Sequence, residues 1–528
     1  MNAYRVVVAF RAGLCLLGIA ATNLEAATYY IDSDGGNDGN PGTSEMAAWQ
    51  SFQNVNGHAF APGDQILLKA GSHFTGQFAP KGAGSEGSPI VVDQYGSGAL
   101  PVLEGNGAVS DTVLLENSPY WEINHLDVSN KAPGQSPGNL VDLRGIGIFG
   151  RDFGTIKHIY IKNCEVHDVT GKVGWIGGVV DGGEAWHGPG SPVKPGVNGN
   201  NGWFGSKNTG GIVFNIVSSA DLPVKTNFDD IQVDGCKLKN NSYGAITIKS
   251  SAASWSVRKA GPNDPDWNPN TNVKITNNQI DQGGPENPYA VDGIYMTCTR
   301  DGLVENNSVT GAGACGIELY WVDKGTVRHN EAANSVKKGG SVDFCGIDAD
   351  TGTTHILFEG NYVHGNGQGI IFYEAKFGDA VARYNVLQNN GEIELRPCAN
   401  ATLNIYNNTV YSSRPKTQMT TAKGKTTYRN NIFYTTQSDA TFAAGAIYDH
   451  NCYFGMAKKP GDAGMVDKDP MLADPGKGAD GFDSANAYKL QDGSPCKGAG
   501  VTVPDAGTTD FYGNPLPAGA PNIGAAQN

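Results

Sequence analysis

The sequence predicts an all-β solenoid of short parallel strands, and three observations support this fold class. An asparagine recurs inside one short phrase, such as L-V-E-N-N-S-V around Asn307. Successive asparagines lie 29, 23, 31, 24, 23, 23 and 20 residues apart, which indicates coils stacked along one axis. Apolar residues alternate in short runs, whereas the i, i+3, i+4 spacing of helices is nearly absent. The recurring residues are Asn278, Asn307, Asn330, Asn361, Asn385, Asn408, Asn431 and Asn451.

The recurring asparagine also predicts a ladder of side-chain hydrogen bonds. Stacked strands lie about 4.8 Å apart, so equivalent amides of neighbouring coils can bond to one another. Cys164 and Cys236 occupy the same place in two earlier phrases, which extends the predicted stack towards the N terminus. Paired asparagines are typical of ordinary turns as well, but turns alone do not hold one register over eight repeats.

Both ends of the chain carry further motifs. A Gly/Asp-rich stretch from Tyr29 to Thr43 precedes Trp49, and the chain closes on D-F-Y-G-N-P from Asp510 and P-N-I-G-A from Pro521. Together with the repeat, these motifs make the sequence resemble the right-handed parallel β-helix proteins, which include pectate lyases, polygalacturonases, alginate-modifying enzymes and several glycoside hydrolase families. The resemblance covers about residues 28–528. It implies a single-stranded right-handed parallel β-helix with an internal asparagine ladder and long loops on one face, but a fold alone does not decide the reaction.

The chain divides into four predicted regions. Residues 1–26 contain Arg5, Arg11 and an apolar stretch, which is typical of a secretory signal peptide and predicts a secreted or periplasmic protein. Residues 27–110 are expected to form an N-terminal capping region with the first coils. Residues 111–460 are expected to form the β-helix, with loop insertions at 171–210 and 251–271, and residues 461–528 a C-terminal capping segment. No later segment has the ~18 apolar residues of a membrane span. The protein is expected to be a monomer.

The charge balance limits the partners. The net charge of −14 disfavours nucleic acid and anionic membranes, so a polysaccharide or oligosaccharide is the expected partner. Aromatic residues in the insertions, among them Trp186 beside His187, suit the apolar faces of sugar rings, although loop packing also accounts for them.

No cofactor is required by the sequence, and a structural calcium ion is a weak possibility. The spacing of Asp32, Asp34, Asn37 and Asp38 is that of an oxygen-rich loop, but a plain Asx/Gly turn is the favoured interpretation. Nine cysteines include Cys315 and Cys345, which each precede a Gly-Ile strand start. These two thiols are equally consistent with a disulfide and with stacked core positions.

Five strand starts align on a Gly-Ile pair or its equivalent, and the alignment predicts an acidic face. They begin D292-G-I, C315-G-I, C345-G-I, Q368-G-I and G391-E-I. With isoleucine inward, the residue after it and the one two further on face outward. The predicted outward residues are Tyr295, Glu318, Tyr320, Asp348, Asp350, Tyr373, Glu394 and Arg396.

Crowded carboxyl groups cannot all ionise freely, which favours a general acid on this face. Asp348 is the central candidate, because other acids surround it within its strand and in both neighbouring coils. The predicted catalytic residues are Asp348, Glu318 and Asp350, with Glu374 and Glu394 in second rank. The predicted substrate-binding residues are Arg396, Tyr320, Trp321, Tyr373, Tyr295, Asp292, Trp186 and His187.

Three activities could use such a face. Paired carboxylates favour a glycoside hydrolase that cleaves an extracellular polysaccharide or its oligosaccharides. A calcium-assisted polysaccharide lyase or uronate epimerase is the first alternative, because Arg396 lies near the acids, and a non-catalytic glycan-binding β-helix is the second. The sequence lacks the Gly-His-Gly and Arg-Ile-Lys phrases of polygalacturonase-like hydrolases and the Asp-Pro-His phrase of mannuronan epimerases. It therefore more closely resembles the looser β-helix glycoside hydrolases.

Overall fold

A computed structural model describes residues 26–133, 141–171, 173–175, 203–205, 208–217, 223–250, 261–287, 290–336, 344–373, 379–397 and 402–527. Short strands dominate these residues, and the single α-helix among them is α1, Phe52–Gly57. Short 3₁₀ turns lie at Glu45–Ala47, Gly261–Asn263, Gly284–Glu286 and Phe482–Tyr488. None of the helices in the described part of the chain has the length and apolar character needed to cross a membrane.

The strands are numbered in chain order. Strands β1 to β14 are Thr28–Ile31, Ala59–Phe60, Gln65–Lys69, His73–Thr75, Lys81–Gly82, Ile90–Tyr95, Val102–Glu104, Asp111–Glu116, Trp121–Asn124, Asp127–Ser129, Arg144–Gly150, Thr155–Lys162, Glu165–His167 and Val173–Trp175. Strands β15 to β28 are Trp203–Gly205, Gly210–Ile216, Asn227–Asp234, Lys237–Lys239, Tyr243–Ser250, Asn270–Thr276, Gln279–Asp281, Ala290–Arg300, Leu303–Glu305, Ser308–Thr310, Cys315–Asp323, Thr326–Arg328, Glu331–Ala333 and Cys345–Ala349. Strands β29 to β42 are Ile356–Glu359, Tyr362–His364, Gln368–Phe372, Asp379–Arg383, Val386–Gln388, Ile393–Pro397, Thr402–Tyr406, Thr409–Ser412, Gln418–Thr420, Lys425–Arg429, Ile432–Thr435, Ile447–Asp449, Cys452–Phe454 and Asp462–Ala463.

Three parallel sheets run along the axis, which confirms the predicted β-helix. The first sheet stacks β8, β11, β16, β19, β22, β25, β28, β31, β34 and β37. The second sheet stacks β1, β3, β6, β9, β12, β17, β20, β23, β26, β29, β32, β35, β38, β40 and β42, and β20 also pairs with β22 of the first. The third sheet stacks β4, β7, β10, β13, β18, β21, β24, β27, β30, β33, β36, β39 and β41.

Identical aliphatic positions stack inside the first sheet and build the core. One isoleucine or leucine from each of the eight strands between β11 and β34 lies in register with its neighbours and is almost fully buried. These residues are Ile146, Ile212, Ile246, Ile294, Ile317, Ile347, Ile370 and Leu395. Burial of such side chains removes apolar surface from water, at about 25 cal/mol per Å². The stack therefore fixes which side of each strand faces outward.

The asparagine ladder is confirmed. From Asn278 to Asn431, each asparagine donates its backbone N–H and its Nδ2 to the Oδ1 of the next asparagine, at 2.9 to 3.0 Å. Asn451 ends the series by donating to Asp462. Cys236 continues the column in the other direction, because its backbone N–H donates to Asn278.

The residue before each ladder asparagine explains the doubled asparagines of the sequence. Each such residue has a left-handed backbone, with φ between 53° and 63°. Asparagine and glycine tolerate this conformation better than most residues. These positions are Asn277, Asn306, His329, Gly360, Tyr384, Asn407, Asn430 and His450. The first member of each pair thus forms the turn, and the second forms the ladder.

A second buried ladder contains Glu394, and its predicted outward orientation is wrong. Asn366 Nδ2 donates to Asn390 Oδ1 at 3.0 Å, and Asn390 donates its N–H and its Nδ2 to the two Glu394 carboxyl oxygens at 3.1 and 2.7 Å. Glu394 is fully buried in this position. It lies opposite Gly369, because Leu395 pairs with Ile370 and Ile393 pairs with Gln368. The sequence alignment on Ile393 was therefore out of register by two residues.

Complete burial raises the pKa of Glu394 to about 8, although hydrogen bonds from Asn390 oppose the shift. The folded state then holds a proton that the unfolded chain releases near pH 4.5, so stability should fall as the pH rises from 4.5 to about 8. Glu394→Gln removes the titrating group and should flatten this part of the profile. Thermal melts of both proteins across that range test the prediction through their slopes. Parallel slopes would contradict it.

The segments at the two ends of the described chain pack against the β-helix. Near the N terminus, α1 contributes Phe52 and Val55 to the core, and the Phe52 ring stacks on Phe74 at 4.8 Å. At the other end, the chain after β42 folds back over the third sheet. There Tyr488 and Phe511 join one buried cluster with Tyr362 and Tyr411 of the sheet.

Three of the four possible calcium ligands near the N terminus accept backbone N–H groups. Asp32 Oδ1 accepts the N–H groups of Asp34 and Gly35 at 3.0 Å, and Asp32 Oδ2 pairs with Lys69. Asn37 accepts the N–H of Gly39, and Asp38 accepts from Gln50 and Ser51. Asp32 and Asn37 thus form Asx turns, Asp38 joins the loop to residues 50 and 51, and calcium at this loop stays a prediction.

Candidate active site on the first sheet

One outward column of the first sheet joins residues from six coils. Glu318 on β25 lies in register with Asp348 on β28, and therefore about one strand spacing from it. Tyr295 precedes Glu318 in the column, while Ile371 and Arg396 follow Asp348. The column in order is Thr247, Tyr295, Glu318, Asp348, Ile371 and Arg396. The structure thus brings together two predicted catalytic residues and two predicted substrate-binding residues.

We call Asp292, Glu318, Asp348 and Asp350 the acidic face. Asp292 precedes Cys315 in its own column, and its Oδ1 accepts the Cys315 N–H at 3.3 Å. Asp350 follows β28 and donates its N–H to the Leu319 carbonyl, which places it beside Tyr320. Asp292 and Asp348 are each 1 % exposed, and Glu318 is 8 % exposed. A solvated acidic stripe does not have this degree of burial, because burying a charged carboxyl costs several kcal/mol.

Two cysteine thiols lie against the acidic face. The Sγ atoms of Cys315 and Cys345 are 2.6 Å apart on paired positions of β25 and β28. Cys315 Sγ and carboxyl oxygens of Asp292 and Glu318 lie within 4.8 Å of one another, and so do the ligand atoms of Cys315, Cys345 and Asp348. No disulfide joins Cys315 and Cys345 in this structure, and their disulfide stays a prediction. The thiols show that both central carboxyl groups face one small buried space.

Groups in this space could bind a divalent cation in principle, and the chemistry of the thiols bears on that. Burial raises the pKa of Cys315 well above its usual value, and the contact with Cys345 and the charges of Asp348 and Glu318 add to the shift. Metals bind the thiolate form, so a cation bound through sulfur would have to displace the thiol proton. Elsewhere among the described residues, Glu331, His364 and Asp480 form the remaining set of three possible ligands.

Negative charge on the acidic face acts on the tyrosines around it. Burial raises the pKa of Tyr295 well above its usual value, and Glu318 is the first charge that adds to the effect. The pKa of Tyr243 rises for the same reasons, with Asp292 as the first charge. Burial and Asp350 raise the pKa of Tyr320 to about 12. These phenols therefore remain protonated and can donate hydrogen bonds towards the carboxylates or towards a sugar.

Aromatic rings form a wall beside the carboxyl groups. Tyr295 lies 6.0 Å from Tyr243 and 6.2 Å from Tyr320, and these rings belong to a cluster separate from the main core. Trp321 packs with Trp267 and Cys298 and is almost fully buried. Its φ is 56°, an unfavourable conformation for a bulky residue. Gly352 contacts the ring so closely that a Cβ there would lie 1.9 Å away. Trp321 therefore supports Tyr320 instead of offering an open stacking surface.

Of the other predicted site residues, Tyr373 and Arg396 lie on the outside of the helix, Glu394 lies inside it, and three fall outside the described residues. Tyr373 follows β31 and is 41 % exposed, which suits contact with a ligand. Arg396 lies two strands from Asp348 and donates Nη1 to Gln368 Oε1 at 2.8 Å. Glu394 lies inside the helix and does not contribute to the face. Glu374, Trp186 and His187 lie outside the described residues.

Sequence reasoning missed two polar residues on the same outer surface. Tyr243 begins β19 and packs against Tyr295, while Lys249 near its end is buried and donates Nζ to Asn208 Oδ1 at 2.6 Å. Lys249 lies in register with Asn215 of β16. The phrase Y-G-A-I-T-I-K of β19 carries a related alternation, so extending the alignment to earlier coils would have found them.

A family model and a solved structure with similarity to this chain agree with the observed fold. Residues 216–442 match the family model described as "Right handed beta helix region". The match agrees with the stacked parallel sheets, and the chain has the right-handed parallel β-helix fold. This β-helix protein is similar to the crystal structure of a GH136 lacto-N-biosidase from Eubacterium ramulus, with a TM-score of 0.57 and 23 % sequence identity. The match covers 73 % of this chain and 64 % of that chain. At this identity the likeness establishes the fold.

Two curated relatives are also similar in sequence. A lacto-N-biosidase from Bifidobacterium longum subsp. longum is 25 % identical over 96 % of this β-helix protein, which covers 37 % of that relative. An alpha-1,3-galactosidase A from Akkermansia muciniphila is 28 % identical over 32 % of this chain and 32 % of its own length. The chain therefore spans about a third of the length of these relatives.

Proposed function

We propose that this β-helix protein is a secreted glycoside hydrolase that cleaves neutral oligosaccharides or polysaccharide chains with Glu318 and Asp348. The observation that carries the proposal is the register pair of buried carboxyl groups on β25 and β28, with two more acids and a tyrosine wall around them. The names of the similar proteins support the same reaction class.

The roles follow from burial and spacing. Burial disfavours a charged carboxyl, so the more buried Asp348 is assigned the proton. Asp348 donates that proton to the glycosidic oxygen, while the Glu318 carboxylate attacks the anomeric carbon and forms a glycosyl ester as the leaving alcohol departs. In the second step, the Asp348 carboxylate takes a proton from a water molecule. The water oxygen attacks the anomeric carbon, and the ester bond to Glu318 breaks, which frees the Glu318 carboxylate. Side chains on neighbouring strands suit the short separation of retaining enzymes, about 5 to 5.5 Å.

The surrounding residues have supporting roles in this proposal. Tyr295 and Tyr320 keep their protons and can donate to sugar oxygens. Tyr373 is exposed and offers a ring face for stacking. The acidic face would repel a polyuronate, and Arg396 is bonded to Gln368 two strands away. The proposal therefore favours a neutral glycan over elimination on a uronate.

A panel of substrates tests the function. We expect release of para-nitrophenol from para-nitrophenyl lacto-N-bioside, with para-nitrophenyl α-galactoside as the second substrate. Retention is checked by following the anomeric protons of the first product by NMR. Polygalacturonate and alginate serve as the lyase controls. A rise in ultraviolet absorbance on either polyuronate, abolished by a chelator, would overturn hydrolysis in favour of elimination.

A further inference from the structure

A second concave surface lies on the third sheet, away from the acidic face. We call it the rear groove; it has a volume of about 870 Å³. Its base is formed by outward residues of β18, β21 and β24, including Lys239, Gln279, Ser308 and Thr310. Phe482, from the C-terminal segment that folds over the sheet, lines the groove as well.

The charges in the rear groove neutralise one another. Lys237 pairs with Glu165 at 2.8 Å, and Lys239 lies 4.0 Å from Asp281. A hydrogen bond to Asp127 raises the pKa of His167 to about 9, so this cation is matched by a carboxylate too. Burial lowers the pKa of His329, which favours its neutral form. The surface is therefore rich in hydrogen-bonding groups but offers no excess positive charge to an anionic ligand.

Phe482 provides a firmly held aromatic ring at one end of the groove. It stacks on the buried Phe511 at 4.9 Å with an angle of 7° between the rings, and it remains partly exposed. The preceding Gly481 donates its N–H to Glu331 of β27 at 2.6 Å. Glu331 also accepts from Ser308 and contacts His364. These contacts fix the ring beside β27 of the third sheet.

The groove has the length of several sugar units. Strands β18, β21, β24 and β27 are consecutive in the third sheet. Lys237 and Lys239 on β18 therefore lie three strand spacings, or roughly 14 Å, from β27, where Phe482 is held. Short side chains, Ser308 and Thr310, occupy the middle. An extended ligand with many hydroxyl groups and one stacked ring matches this arrangement.

We propose that the rear groove is a second, non-catalytic binding site for a neutral oligosaccharide chain. A sugar ring stacks on Phe482, and the following units donate to and accept from Gln279, Ser308 and the paired lysine and carboxylate groups. The site would hold a long substrate on the enzyme between cleavage events. Binding here depends on no step at the acidic face, so it can be measured whether or not the proposed hydrolysis is correct.

Calorimetric titration with lacto-N-tetraose, xylotetraose and cellotetraose tests the site. The protein is used as the Asp348→Asn variant, to suppress cleavage, and in combination with Phe482→Ala or Thr310→Arg. Thr310→Arg places bulk on the base of the groove without touching the C-terminal segment. We expect Phe482→Ala and Thr310→Arg each to weaken the binding of at least one of these neutral tetrasaccharides roughly tenfold. Phe153→Ala is the matched control, since Phe153 is 43 % exposed elsewhere.

The same variants with Asp348 intact should turn over a small para-nitrophenyl glycoside as the unchanged protein does. Tetragalacturonate is the charged competitor and should not bind in the groove. The proposal would be overturned if each neutral tetrasaccharide bound the Phe482→Ala and Thr310→Arg proteins as tightly as it bound the Phe153→Ala control. Binding of tetragalacturonate that is lost with Thr310→Arg would also overturn it, because the site would then recognise charge.

Discussion

Asp348→Asn and Glu318→Gln should each lower kcat by about 10² to 10⁴, because each removes a proton donor or a nucleophile while keeping the size of the side chain. Initial rates on the most active substrate of the panel measure the effect. Thermal melts should change little, since both side chains lie in the outward column, on the other side of the strands from Ile317 and Ile347. Glu116→Gln is the matched control, an exposed acid at the end of β8 on the same sheet.

The two roles can be separated by one further variant. Glu318→Ala leaves space for a small anion, so added azide should attack the anomeric carbon and restore turnover with formation of a glycosyl azide. Azide should not rescue Asp348→Asn on a poor leaving group in the same way. Near-normal kcat of Asp348→Asn would move the site off this face, most reasonably to the insertion that carries Trp186 and His187.

Asn330→Ala should destabilise the fold by about 4 kcal/mol. The change removes the acceptor for the N–H and Nδ2 of Asn307, and it removes the donor to Val304 and Asn361. All of these groups are buried, and each unsatisfied buried polar group costs about 1–3 kcal/mol. Guanidinium denaturation followed by circular dichroism measures the loss.

Asn306→Gly in the coil before is the control for the ladder. Asn306 is exposed and already has a left-handed backbone, with φ of 57°, so glycine fits without strain. Its midpoint should stay close to that of the unchanged protein. Similar losses for Asn330→Ala and Asn306→Gly would show that the turns, and not the buried amides, hold the coils in register.

The repeat could be predicted from the sequence because identical coils impose identical local chemistry. One asparagine per coil must meet the next asparagine once the strands stack, so Asn278 to Asn451 specify the axis and the register. Alternation around Ile317 and Ile347 likewise placed Glu318 and Asp348 on the outer side. These inferences need only the strand periodicity of two and the spacing between strands.

The remaining features depend on contacts between distant parts of the chain. Gly391 to Leu395 offers two inward registers, and only pairing of Leu395 with Ile370 together with the hydrogen bonds from Asn390 places Glu394 inside. Burial of the acidic face and the contact of Cys315 with Cys345 arise from packing across coils. One end of the rear groove is formed by Phe482, whose neighbour Gly481 bonds to Glu331, 150 residues earlier in the chain. Strand periodicity specifies which way a side chain faces, whereas only tertiary packing decides what covers it.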